Sequence, residues 1–466
     1  SREIKYILHW ISPIVFDPIG MAEFLTLEYN LGRKTLFKGI ERMKASSLIK
    51  VSRSPDKITV RYQALLPLDF EFEDKGLNRR ESLGICNSLF NESLKNRVEK
   101  VSQAGLEIVA DLSGGYDTRA LFIGLCNLGA PFQACHDRLV TGDESAIAHQ
   151  VAMTFKRDLF CLYSVHPVDD LSIIRRVTYL TDCLVNCWVD VSGFYDELER
   201  ERVIRNTYAH FMGLGGEFIR NVYHRKSFYT NLADMLSDDA FTHFFRISDA
   251  CFILGIRPTA MEDNFSAETG LFPESNLRDQ VRHLYFESYS KVDNAGENRH
   301  RLFNWTVTPF WGKDFFHFAV KNIRPEYISY QFFVDFLRQL HPDALEFPIH
   351  GRRLSLNHPA GRLALGAERR IKAIFRDNRY LFKMARRLAS HKRQAARRID
   401  RQQWLMDEIL RICLKSNALR RNFDTDALRR VLKRTSDKLL LYQLLTLVLY
   451  IEQVEEKHGD KCAISD

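Results

Sequence analysis

Three short runs, LEIVADL (106–112), FQACHDRLV (132–140) and LFCLYSV (159–165), alternate with segments of helical periodicity. No other feature limits the fold as much. Each run is too short for a helix and largely apolar, as strands covered on both faces are. The segments between them are TRALFIGLCNL, closed by Gly129, and ESAIAHQVAMTF, entered through Thr141, Gly142 and Asp143. Glycine just past the last periodic residue ends a helix because it enters the left-handed region at no steric cost. Strands alternating with helices at this spacing make a parallel sheet with helices on both faces, so the expected class is α/β. HFMGL (210–214) is expected as a later strand, and beyond about residue 230 helical character dominates.

The flanks differ from this centre. SLIKV (47–51) and KITVRYQALL (57–66) surround a Ser-Pro-Asp turn and read as a β-hairpin. Residues 80–102 have helical periodicity, with Leu83, Cys86, Phe90 and Leu94 on one side. Residues 351–466 hold 27 Lys and Arg against 13 Asp and Glu, so a tail of +14 follows a body of −6 in a chain of net +8. The tail is densest from Arg362 to Arg401. It reads either as the solvated face of long helices or as a surface for phosphates, an acidic substrate or nucleic acid. No aromatic interleaving supports base stacking, so nucleic acid is not the expected partner. The tail is expected to pack over the acidic body near the C-terminal edge of the sheet and assist substrate capture. Three units follow: a β-rich piece over 1–70, a central domain over 75–350 and a basic helical region over 351–466.

Composition excludes several classes. With 45% apolar and 27% charged residues the chain is not disordered. The run Leu439 to Ile451 is broken by Tyr442, Gln443 and Thr446, and it reads as a buried helix and not as a membrane span. The opening SREIKYILHWISPIVF lacks the charged head, long apolar centre and cleavage site of a signal peptide. Nine scattered cysteines, mostly inside apolar runs, point to free thiols in a reducing compartment and hence to a cytoplasmic location. Cys183 and Cys187 have helical spacing and no histidine pair nearby, so two packed thiols on one helix face are expected instead of a zinc site.

Two segments carry candidate chemistry. The first is DLSGGYDTR, Asp111 to Arg119. Two glycines between a buried strand and a helix let the backbone turn tightly and approach a ligand. The free N–H groups of the new helix then favour phosphate, and Ser113 and Thr118 add hydroxyls. Asp117 would repel phosphate unless magnesium lies between them. No Lys follows, so this is not the loop of P-loop nucleotidases. The alternative is a capped helix start after a tight turn. The second segment is GLGGEFIR, Gly213 to Arg220, again following an apolar run, with Glu217 100 residues after Asp117. In a parallel sheet both acids come from strand C-terminal ends, where ligands bind. Two carboxylates there can hold one magnesium ion, with Arg220 offsetting phosphate charge. The alternative is a glycine-rich helix start in which Glu217 faces the helix dipole.

LSGGYDTR resembles the LSGGxDS pyrophosphate-binding loop of the asparagine synthetase family of ATP-pyrophosphatase-type amide ligases, and GLGGEFIRNVY is similar to its second signature, GxGxDExxxGY. VTGDESAIAHQVA (140–152) is similar to the segment that touches adenine, and RLFNWTVTPFWGKDFF (301–316) to the R…PFLD region lining the substrate pocket. TLFKGIERMKASSLIKV (35–51) is similar to the end of the family's N-terminal glutaminase domain, so the resemblance spans roughly residues 20–345. It implies an adenine nucleotide alpha hydrolase-like fold with ATP and Mg2+ as cofactors. It also implies that Leu112, Ser113, Gly114, Gly115, Asp117, Thr118, Val140, Gly215 and Gly216 bind nucleotide. Asp117 and Glu217 would bind magnesium, and Asp117, Glu217 and Arg220 would act in catalysis. The implied reaction adenylates a substrate carboxylate with loss of pyrophosphate and passes it to an amine. The expected partners are a small-molecule or peptide carboxylate, an amine, and a partner protein if one supplies either.

Four departures qualify this. Ser1-Arg2-Glu3 does not match the family's N-terminal Cys nucleophile, so glutamine hydrolysis is not expected. Leu214 stands where β-lactam-forming members place Tyr. Phe218 replaces the second acid of the second signature. Lys313 and Lys372 match the family's late lysine in rough position only. Two rivals remain open: an enzyme that adenylates a tRNA base before thiolation, and a non-catalytic nucleotide-binding relic.

Overall fold

Asn78 starts the helix Arg79–Gln103 with a reciprocal cap: its side chain accepts from the N–H groups of Arg80 and Glu81, while Glu81 accepts from the N–H of Asn78. The expected stripe of Leu83, Cys86, Phe90 and Leu94 is buried. It packs on the helix Tyr116–Asn127 at Gly124, where a β-carbon would stand 2.7 Å from Leu94 Cδ2. The computed structural model describes residues 3–65, 68–137, 144–162, 170–183, 186–204, 206–220, 229–239, 244–291, 303–348, 355, 358–378, 381, 402–435 and 437–462.

The hairpin around the Ser-Pro-Asp turn is β1 (Ser47–Ser54) and β2 (Lys57–Ala64), paired antiparallel. Its register sets Val51 opposite Val60 and leaves both exposed with Ile58 and Tyr62. The centre of the molecule is a five-stranded parallel sheet of β3 (Glu107–Asp111), β4 (Gln133–Asp137), β5 (Leu159–Leu162), β6 (Tyr208–Phe211) and β7 (Trp305–Val307). The order is β5-β4-β3-β6-β7. From β3 the chain first builds outward through β4 and β5, then returns to place β6 on the other side of β3. That reversal opens a crevice at the C-terminal ends of β3 and β6.

β6 lies earlier in the chain than the HFMGL reading. Residues 213 and 214 turn away because Gly213 crosses the start of the helix Tyr116–Asn127, where its β-carbon would be 2.6 Å from the backbone nitrogen of Thr118.

One face of the sheet is apolar. Ile108, Ala110, Ala134, Ala209, Phe211 and Val307 share a core with the helices Arg79–Gln103, Tyr116–Asn127, Lys313–Lys321 and Tyr330–Leu340. The last of these holds YQFFVDFLRQL, and Phe332, Phe333, Phe336 and Leu337 are buried in it. The opposite face meets the helix Cys187–Val203 and is partly polar. Arg200 binds both oxygens of Asp137 at 2.7 Å and pairs with Glu197, and Asp111 contacts His210 Nε2 at 2.6 Å.

A second core is mostly helical. It joins the helices Ile4–Ile7 and Pro18–Leu27 to the segments 171–191, 229–284 and 405–454, so parts of all three expected units contribute. At its centre the helix Lys438–His458 is buried from Leu441 to Val454. Gln443 donates to the Phe24 carbonyl at 2.8 Å, and the Tyr450 hydroxyl donates to Asp182 at 3.1 Å. Among the described residues no helix is long and apolar enough to cross a membrane.

Cys183 and Cys187 do not share a helix face. The helix Leu171–Leu180 ends before Asp182 and Cys183, which take φ of 56° each, and Cys187 opens the next helix. Asp182 is held there because its carboxylate accepts from the N–H groups of Ile4 and Lys5. Both thiols are buried in the helical core. Arg386, Arg387, Arg397 and Arg398, in the densest part of the basic tail, lie outside the described residues.

Candidate functional site

Leaving β3, Leu112 stays tied to the sheet through its N–H, which donates to the Cys135 carbonyl at 2.7 Å. The next residues form a tight loop. The N–H of Ser113 donates to Thr118 Oγ1 at 3.0 Å, the two hydroxyls lie 3.0 Å apart, and the N–H of Gly115 donates to Ser113 Oγ at 3.0 Å. Ser113 and Thr118 therefore shape the loop that the sequence reading had them use for phosphate. Gly115 is the N-cap of the helix Tyr116–Asn127, and no side chain caps it. Over Gly114 lies Glu144, whose Oε2 is 3.0 Å from where a β-carbon would stand.

The second glycine turn follows β6. Gly215 has φ of 104°, a left-handed conformation that favours glycine, and a β-carbon there would meet Phe310 Cβ at 2.8 Å. A β-carbon on Gly216 would stand 2.0 Å from Asp117 Oδ1. The turn thus closes over the start of the helix Tyr116–Asn127, the first helix of the site, and brings the two acidic positions together. Arg220 Nη2 lies 2.8 Å from Asp117 Oδ2 and 2.7 Å from Glu217 Oε1, so one guanidinium nitrogen serves both carboxylates. Below it is the ring of Phe333, 5.4 Å from the guanidinium carbon. Glu217 also accepts from the N–H of Gly215 at 3.2 Å.

Burial pushes the Asp117 carboxyl up to about 7; Arg220 opposes the shift and Glu217 adds to it. Its Oδ1 is buried and has no hydrogen-bond partner among the described residues.

No protein-family model matches the chain, and no curated protein matches it. The site must be read from its own geometry.

Of the sequence-expected residues, Leu112, Ser113, Gly114, Gly115, Asp117, Thr118, Gly215, Gly216, Glu217 and Arg220 converge on the crevice between β3 and β6. Val140 lies outside the described residues. Lys313 is exposed at the start of its helix, and the side chain of Lys372 is outside the described residues. The segment 309–311 does border the site, since Phe310 and Trp311 abut Gly215.

Two carboxylates with one unpaired buried oxygen suit magnesium, which takes one or two protein carboxylates and completes its shell with phosphate and water. Among the described residues no group of three or more His, Cys, Asp or Glu side chains is placed to hold a metal by itself. The donor set fits an ion brought in with a phosphate ligand, and it does not fit a resident structural metal.

Sequence reasoning missed Arg119. It is 0% exposed, and its guanidinium donates to the carbonyls of Gly114, Ala344, Phe347 and Pro348 at 3.0–3.1 Å. The one available signal was a lone charge inside the apolar segment TRALFIGL.

Proposed function

We propose that the protein is an ATP-dependent ligase that forms an amide from a carboxylate and an amine and releases AMP and pyrophosphate. The observation that carries this is the meeting of Asp117 and Glu217 at the C-terminal crevice where the strand order reverses, each just after a glycine turn. Nucleotides bind at such crevices in open parallel sheets. The reading also rests on the resemblance of both loops to the asparagine synthetase family, with its adenine nucleotide alpha hydrolase-like fold.

On this reading the Ser113–Gly115 loop and the uncapped start of the helix Tyr116–Asn127 receive the β- and γ-phosphates. Asp117 and Glu217 would hold magnesium, which when bound neutralises charge on the departing pyrophosphate. The chain's own part is positioning: the Gly213–Gly216 turn presses on the first helix and fixes the Asp117 carboxylate. Arg220 supplies a cation at the same point, available to the phosphates as their charge develops. The acids then hold a metal or the guanidinium according to what is bound.

Product analysis by phosphorus NMR tests the reading. AMP and pyrophosphate are expected when ATP is supplied with the right carboxylate and amine; ADP and orthophosphate would remove it.

One observation favours a second reading, a nucleotide-binding protein without ligase chemistry. Arg220 already neutralises both acids, as an internal cation would in a site that no longer needs a metal. Tight ATP binding that is indifferent to magnesium would support that reading.

A further inference from the structure

The hairpin of β1 and β2 stands apart from the rest of the protein. Its strands form a sheet of their own, and among the described residues none of 47–64 belongs to a hydrophobic core. A two-stranded hairpin is marginal in water by itself and gains from a third strand. Alternation sorts its side chains by chemistry. One face carries Ile49, Val51, Ile58, Val60 and Tyr62, with Arg53 at the turn end. Val51 is 63% exposed, and Ile58 and Tyr62 are 64% exposed. The other face carries Lys50, Lys57 and Arg61, all exposed, and neither strand holds an acidic residue.

The backbone follows the same division. Just beyond the strands, the N–H of Leu65 donates to the Ser46 carbonyl at 2.8 Å. Hydrogen-bonded and non-hydrogen-bonded pairs alternate along an antiparallel ladder. Followed through the register from Ser46 and Leu65, Val51 and Val60 are a non-hydrogen-bonded pair, so their N–H and C=O groups point outward from the two edges. The residues whose backbone is open to a new strand are therefore those of the apolar face. On β2 they are Ile58, Val60 and Tyr62; on β1 they include the half-buried Ile49 and the charged Arg53. Charges that protect an edge from pairing interrupt its apolar side. Along β2 they do not, since Lys57 and Arg61 both lie on the other face.

We infer that the outer edge of β2 takes up an extended segment of a partner protein in which apolar and acidic residues alternate. Such a segment pairs with the outward backbone groups of β2. Its apolar side chains continue the face of Ile58, Val60 and Tyr62, and its carboxylates lie beside Lys57 and Arg61. Charge complementarity selects this occupant. A second copy would bring Lys50, Arg53, Lys57 and Arg61 against the same four residues, with no acid on either strand to meet them. A lipid surface would cover the apolar face and leave the edge groups unpaired. A nucleic acid would use the basic face alone. The inference does not depend on the ligase reading.

The test titrates the full-length chain by calorimetry with an end-blocked peptide of about eight residues, alternating Glu and Val. One control has the same residues in two blocks, and the other alternates Lys and Val. The alternating Glu peptide is expected to bind at least about tenfold more tightly than either control and to slow amide exchange over 57–64. Val60→Pro removes an outward N–H that the hairpin does not use, and it should weaken this peptide at least about tenfold. Val51→Pro does the same at the edge of β1 and should stay within about threefold of wild type. Lys57→Glu with Arg61→Glu should invert the preference toward the Lys peptide, and this variant decides if either proline disrupts the hairpin. Equal binding of the three peptides, equal losses in the two proline variants or an unchanged preference after charge reversal would each overturn the inference. So would a hairpin that ignores the peptides and instead binds vesicles of equimolar phosphatidylglycerol and phosphatidylcholine, binds a single-stranded oligonucleotide, or dimerises in sedimentation.

Discussion

Gly216 has no room for a β-carbon because the carboxylate of Asp117 occupies the space, with Oδ1 2.0 Å from where that carbon would stand. The glycine is needed for proximity and not for a left-handed backbone, since only Gly215 in this turn has positive φ. Asp117 cannot easily retreat: its other oxygen is held by Arg220 at 2.8 Å. Gly216→Ala is therefore expected to displace the carboxylate and lower turnover by about 100-fold, with a stability loss of only about 1–3 kcal/mol. Steady-state rates and denaturant unfolding on the same preparation check this; normal turnover would show that Asp117 need not hold its place.

Gly213→Ala should behave in the opposite way. Its β-carbon would meet backbone, at 2.6 Å from the nitrogen of Thr118 and 2.7 Å from the carbonyl carbon of Asp117. No side chain can swing aside, so β6 and the first helix must part. Denaturant unfolding should show a loss larger than that of Gly216→Ala.

Asp117→Asn and Glu217→Gln should each lower turnover by orders of magnitude while the fold stays intact. Either change removes one of the two charges that share Arg220 and would capture magnesium. Circular dichroism and rates over a magnesium titration are the measurements, and near-normal turnover at ordinary magnesium would remove that residue as a ligand.

Away from the site, Glu23 in the helical core is 0% exposed and accepts from the N–H of Leu31 at 3.1 Å and from Asn264 at 2.7 Å. Burial pushes its carboxyl from 4.5 up to about 7, against the pull of Lys34. A carboxyl raised by folding binds its proton more tightly when folded. Its contribution is fully present below pH 4.5 and is lost as pH rises through about 7. Relative to Glu23→Gln, the wild type should lose on the order of 3 kcal/mol across that window. Urea unfolding at its two ends reads this directly, and a constant difference would refute it.

Arg200→Met should cost about 3–5 kcal/mol, because it leaves two partners on the polar sheet face without their cation. Chemical unfolding gives the value. Arg200 with Asp137→Asn and Glu197→Gln both in place should lose less when then changed to Met than the wild type does, since no unpaired carboxylate remains.

The strand–loop–helix units were legible in the sequence because apolar periodicity, the Gly129 stop and the glycine turns are local properties of a few consecutive residues. The same holds for the hairpin and for Asp117 and Glu217 as paired candidates. Tertiary structure alone decided that β6 returns beside β3, which is what joins two acids 100 residues apart. It also decided that Arg220 stands between them and that Arg119 is buried behind the loop. Helical spacing misplaced Cys187 relative to Cys183 because Asp182 bonds to Ile4 and Lys5, residues the local pattern does not contain. Burial and ion pairing depend on segments distant in sequence, so local spacing can nominate a charged residue but cannot say what it faces.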